Sequence, residues 1–138
     1  MVKKAYSKEI EKSDSARLLK KAEEERDAMH SELSKGNFNS ASSAAIRCSI
    51  NACNALTVAR SGHISTADKH EDVSFLLLDK VKEKDVGKYA QLFRRIVADK
   101  SKIDYSQSLV REKAAIRYVS DAQKFLEWIE RKMPPEYK

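Results

Sequence analysis

Residues that turn or stop a chain are almost missing from this sequence. It contains three glycines and two prolines, and the prolines are neighbours at Pro134 and Pro135. Ala, Leu, Lys, Glu and Arg are abundant instead, and these residues lose little freedom when they enter a helix. Turns are therefore few and helices long, which favours a bundle over any sheet. With 138 residues, one domain can bury a core without metal or disulfide staples. The expected fold is all-α, an up-and-down bundle of four or five helices over residues 13–138, preceded by a flexible or partly helical lead-in at 1–12.

Apolar periodicity places the helices. Leu18, Leu19, Ala22, Met29 and Leu33 recur at helical spacing after a cap at Ser13 or Asp14, and Gly36 marks the stop. Asn37 or Asn39 can cap a second helix, which runs from Ala41 to Ala59 and carries small or apolar residues on several sides. Such a helix belongs near the middle of the bundle. Ser61 and Gly62 end it before a polar loop reaching Ala67. Asp68 with Glu71 has the spacing of a capping box and predicts a third helix through Val73, Leu76, Leu77 and Val81. Asp85 predicts the start of a fourth, whose stripe of Val86, Tyr89, Ala90, Phe93, Ile96 and Val97 continues to Lys100, Ile103 and Asp104 at a strict 3.6-residue period. A fifth helix after Ser106 is expected to turn Leu109, Ala115, Ile116, Val119, Ala122, Leu126, Ile129 and Met133 inward before the two prolines stop it.

The net charge of +6 makes a phosphate-bearing or otherwise acidic partner electrostatically welcome, although a solvated basic surface gives the same number. Cys48 and Cys53 lie five residues apart on one helix and point to different faces, so they cannot pair with each other. Both read as packing residues in a reducing compartment. No apolar run approaches the roughly 20 residues needed to cross a bilayer, and the Lys-rich start lacks the apolar stretch of a secretory signal. The expectation is a cytoplasmic chain with no membrane partner. His30, His63 and His70 are too scattered for a metal site, and no Glu-x-x-His motif occurs, so no metal and no cofactor are expected.

Two polar intrusions interrupt apolar surfaces. Arg47, Asn51 and Asn54 form a seam at i, i+4 and i+7 on the second helix, which is either its solvent side or a row of ligand contacts. On the fourth helix the period brings Lys100 and Asp104 to the core face beside Tyr105. That group is either an ion pair at the edge of the core or a small polar pocket, with Lys100 anchoring a phosphate or carboxylate and Tyr105 donating its hydroxyl.

The order ARLLKKAEEE, Gly36 turn, AAIRCSINACNALTVARSG, ADKHEDVSFLL, KIDYS and AAIRYVSDAQKFLEWI resembles the HEPN superfamily, in particular its stand-alone prokaryotic members that accompany minimal nucleotidyltransferases. The resemblance spans roughly residues 15–133, and His70 is similar to the His that opens the family's third helix. It implies a helical bundle, a homodimer, and a binding module that holds a nucleotide or RNA phosphate or partners a nucleotidyltransferase in a toxin-antitoxin-like setting. Competent relatives cleave RNA with an Arg followed after four to six residues by a His. Lys100 stands at the Arg position here and Tyr105 at the His position, and a phenol with a pKa near 10 is a poor base at neutral pH. The resemblance thus implies no catalytic residues, and taken with the two polar intrusions it gives an expected ligand-binding set of Lys100, Asp104, Tyr105, Arg47, Asn51, Asn54 and His70. A ribonuclease with a variant site and a purely structural bundle are the alternatives.

Overall fold

The structure is a computed structural model, and residues 6–138 are described; the first five residues of the lead-in lie outside that range. Among the described residues there are six α-helical segments: α1 (Ser15–Ser34), α2 (Phe38–Ser61), α3 (Val73–Lys80), α4 (Val86–Val97), α5 (Lys100–Tyr105) and α6 (Glu112–Lys132). With α5 only six residues long, they amount to an all-α bundle of about five helices.

Gly36 ends α1 as its position predicts. It sits at φ 77°, with its own N–H bonded to the Leu33 carbonyl and the Asn37 N–H bonded back to the Glu32 carbonyl. This left-handed cap satisfies the helix's last carbonyls and lets α2 return along α1. The second helix occupies the centre of the bundle, packing against α1, α3, α4, α5 and α6. Its residues Ala41, Ala44, Ala45, Cys48, Ala52, Cys53 and Ala55 are fully or almost fully buried, and such small side chains admit neighbouring helices closely. Ser42 and Ser49 are also buried there, each returning its hydroxyl to the carbonyl four residues earlier. Burial pushes the Cys48 thiol up to about 12 and raises Cys53 further, so neither forms a reactive thiolate at neutral pH.

Four expectations are corrected. First, the segment expected to be a polar loop holds strand β2 (His63–Ser65), paired antiparallel with β1 (Ser7–Glu9) of the lead-in, which ends in a 3-10 turn over Lys12–Asp14. The pairing is seated on Gly62, whose φ of 73° ends α2 and whose carbonyl accepts the Ile10 N–H at 2.8 Å. Second, Asp68 does not cap α3. The chain leaving β2 is still held there by the Thr66 N–H on the Tyr6 carbonyl, and a 3-10 turn over His70–Asp72 precedes the helix.

Third, the stripe of α4 does not continue unbroken to Asp104. The helix stops at Val97, and the Asp99 carboxylate accepts a 2.5 Å hydrogen bond from the Tyr118 hydroxyl on α6 before α5 begins. Fourth, α6 starts only at Glu112 and buries Ala115, Tyr118, Val119, Ala122, Phe125, Leu126 and Ile129. Ile116 lies about 100° around the helix from its buried neighbour Ala115 and is half exposed, while Leu109 stands in the preceding loop, 81% exposed.

Candidate functional site

Helix packing brings four of the predicted ligand residues to one place. Lys100, at the start of α5, donates from Nζ to Asp104 Oδ2 at 2.7 Å, one turn further along. Ser43 on α2 donates to the other oxygen of the same carboxylate at 2.9 Å, which ties α5 to the central helix. Arg47, one turn beyond Ser43, is within electrostatic reach of Asp104 but is itself bonded through Nε to Glu25 of α1 at 2.8 Å. His70, in the turn before α3, feels both Lys100 and Asp104.

These contacts neutralise one another. The Lys100 hydrogen bond, aided by Ser43, holds the Asp104 carboxyl below the usual carboxylate range, with burial opposing. Partial burial and the Lys100 ammonium push His70 below its ordinary value, with Asp104 opposing, so the ring is neutral at pH 7. Two cations face two carboxylates and a neutral imidazole, leaving no surplus positive charge for a phosphate. Tyr105 does not join them. Its side chain is 81% exposed, because Tyr105 lies two residues, about 200° around α5, from the buried Ile103 and so points away from the core. Asn51 and Asn54 lie further along α2, both half-buried, and the Asn54 Oδ1 is buried without a hydrogen-bond partner among the described residues. The seam of the second helix is therefore split: Arg47 joins the Lys100 group, and no hydrogen bond links either asparagine side chain to it.

A second cluster, unforeseen from the sequence, occupies the groove between α4 and α6. Phe93 meets Phe125 with ring centroids 5.4 Å apart, and Tyr89 lies flat on the buried Trp128 at 4.7 Å with an interplanar angle of 8°. Arg95 approaches Asp121 at 3.6 Å. These pairings set the two helices antiparallel. Over the edge of this cluster at Tyr89, a recess of about 500 Å³ is lined by Lys88, Tyr89, Arg95, Asp121, Lys124 and Arg131, among others. Lys88 and Arg95 are seven residues apart on α4, as are Lys124 and Arg131 on α6, so each pair shares a helix face about 10 Å apart. Antiparallel packing then puts Lys88 near Arg131 at one end and Arg95 near Lys124 at the other.

Only Arg95 in this set is ion-paired; Lys88, Lys124 and Arg131 have no carboxylate partner among the described residues. Lys88 instead lies over the Tyr89 ring at 5.4 Å from its centroid. With Asp121 and Glu127 as its carboxylates, the recess carries four cations against two anions. The heptad spacing of the two pairs was the available signal, hidden because exposed lysines and arginines at such spacing usually mark a solvated face.

Among the described residues no group of three or more His, Cys, Asp or Glu could hold a metal ion, and no helix is long and apolar enough to cross a membrane. No family model, curated protein or solved structure matches the chain.

Proposed function

We propose that this chain is a HEPN-like binding module that takes the phosphates of a nucleotide or of single-stranded RNA and carries no ribonuclease chemistry of its own. One observation carries the phosphate reading: the α4/α6 recess gathers four cations against two carboxylates, three of the cations without an ion-pair partner, beside a half-buried aromatic ring. Cations at both ends of a groove, about 10 Å apart, suit an extended polyanion better than a single small ion. The Lys100 group has the opposite character, being internally neutralised, and its role in this reading is to fasten α5 onto α2. A ribonuclease with a variant site would need a base at the end of α5, and a solvent-exposed phenol beside a lysine already bound to Asp104 supplies none. Homodimer formation and docking of a minimal nucleotidyltransferase rest on the sequence resemblance.

Titration of the full chain with ATP and with a short labelled RNA at low and moderate salt tests the reading. RNA affinity should fall with salt at a log–log slope of about −2 to −3, since each engaged phosphate of a single strand contributes about −0.7. Lys124→Gln combined with Arg131→Gln should reduce the slope by about 1.4, whereas Lys100→Ala should leave it unchanged. Absence of saturable, salt-sensitive binding to either ligand refutes the proposal, as does a slope that responds to Lys100→Ala and not to the double change.

A further inference from the structure

Exposed apolar residues just before α6, away from the cationic recess, call for a different occupant. Between α5 and the start of α6, residues 106–111 form a connection held in a fixed shape. The Ser106 N–H bonds to the Lys102 carbonyl, the Ser108 N–H to the Ser106 hydroxyl at 3.1 Å, and the Val110 N–H to Asn39 Oδ1 on α2 at 2.6 Å. Despite this restraint, Leu109 projects into solvent with 81% of its surface exposed, as does Tyr105 at the end of α5. A leucine presented this way on an ordered loop gains nothing from folding, and it forms a ridge between two recesses.

On one side of the ridge a groove of about 560 Å³ has an apolar floor of Ile103, Val110 and Tyr118 and a rim bearing Lys102 and Arg111. On the other, a smaller recess of about 270 Å³ is bounded by Asn37 and Phe38 at the start of α2. Neither recess is lined by a carboxylate. The nearby acids are occupied or turned away: Asp99 accepts from Tyr118, Asp104 is held by Lys100 and Ser43, and Glu112 lines neither recess. Arg117 adds a further positive charge, its guanidinium 5.2 Å from the centroid of the Tyr118 ring.

We infer that this face is a docking surface for an acidic amphipathic helix of a protein partner, whose apolar residues straddle Leu109 and whose carboxylates meet Lys102 and Arg111. Two anchors one helical turn apart, about 5–6 Å, would fill the recess on either side of a single leucine. Charge complementarity selects the partner. A second copy would set Lys102 and Arg111 against themselves in a two-fold arrangement, and the chain as a whole carries +6. A nucleic-acid backbone would meet the cations but leave Leu109 uncovered. The inference is independent of the phosphate reading, because the groove involves the first turns of α6 and the cationic recess involves its second half.

The test uses the isotope-labelled full chain and a designed helical peptide of about 14 residues, with leucines at i, i+3, i+4 and i+7 and glutamates elsewhere. Backbone amide shifts confined to 36–40 and 102–118, saturating at micromolar peptide, are the expected result. Leu109→Ser and Arg111→Gln, both on the surface and expected to leave the thermal melt unchanged, should each weaken binding at least about fivefold. The inference is overturned if no shifts occur at millimolar peptide, if the same peptide with lysines in place of glutamates binds equally well, or if Leu109→Ser has no effect. It is likewise overturned if short oligouridylate shifts the same amides more tightly, or if those amides move with protein concentration alone, which would identify RNA or a second copy as the occupant.

Discussion

Replacing Tyr118 with Phe removes one oxygen atom from a side chain that is only 5% exposed, and tests whether Asp99 is the tie that breaks α4 from α5. The hydroxyl donates to Asp99 Oδ2 at 2.5 Å, and no other hydrogen bond or ion pair to that carboxylate is present among the described residues. A hydrogen bond to an ionised partner contributes about 1.5–3 kcal/mol, and Asp99 is half-buried, so part of its solvation can return when the phenol is lost. A destabilisation of about 1.5–2 kcal/mol follows. For a chain of this length, with an unfolding entropy of about 2.1 cal/mol/K per residue, that lowers Tm by roughly 5–7 °C. Thermal and urea unfolding followed by circular dichroism measure it.

The same bond has a spectroscopic signature. Burial, together with the hydrogen bond to Asp99, pushes the Tyr118 hydroxyl up to about 12. Its folded value lies above the unfolded one near 10, so the bond's contribution is complete below about pH 10 and is lost as pH rises toward 12. Among the five tyrosines, one should resist ionisation in an ultraviolet titration of the native protein, and that late step should vanish in Tyr118→Phe. A variant within 0.5 kcal/mol of the parent, or one that keeps the late step, would refute the assignment of Asp99 as the tie.

Two further substitutions test the charge clusters. Asp104→Asn weakens the bonds from Lys100 and Ser43 and should cost roughly 1 kcal/mol at pH 7; because the folded carboxyl titrates below its unfolded value, the difference from the parent should be constant above about pH 5 and shrink as pH falls through the acid range. Glu130 behaves oppositely: burial and its contact with Glu23 raise its carboxyl above the ordinary value, so the ionised form is disfavoured in the fold at neutral pH. Glu130→Gln should melt higher than the parent at pH 7 and converge with it below about pH 4, where the parent is protonated as well; a lower melting temperature at pH 7 would show that the Arg26–Glu130 pair at 3.8 Å outweighs the carboxylate repulsion.

Legibility differed from element to element for physical reasons. The start and end of α1, the central place of α2 and the stop of α6 before Pro134 were all readable, because each rests on local signals: a left-handed Gly36, a run of small residues, two consecutive prolines. The β1–β2 ribbon was not. Its residues, Ser7–Glu9 and His63–Ser65, have no strand-forming run, and their pairing depends on Gly62 receiving Ile10 from 52 positions away in the chain. Strict periodicity carried α4 onward to Asp104 and so put Tyr105 beside Lys100. The halt at Asp99 breaks that helix, and within α5 Tyr105 lies about 200° around from the buried Ile103, which turns the phenol to solvent. The Lys100–Asp104 pair survived that change because its i, i+4 spacing lies within one short helix. The cationic recess needed both α4 and α6, since neither pair of basic residues is a groove until the helices meet antiparallel.

Composition and spacing alone decide that this chain is helical, where most of its helices stop, and which one is small enough in side chain to be surrounded. These are properties of nearest neighbours along the backbone, set by rotamer entropy, capping and the 3.6-residue repeat. Tertiary packing decides which charges are spent on one another and which stay available. A lysine inside the Lys100 group and a lysine over the α4/α6 groove look alike in sequence, and only the position of a carboxylate on another helix separates them.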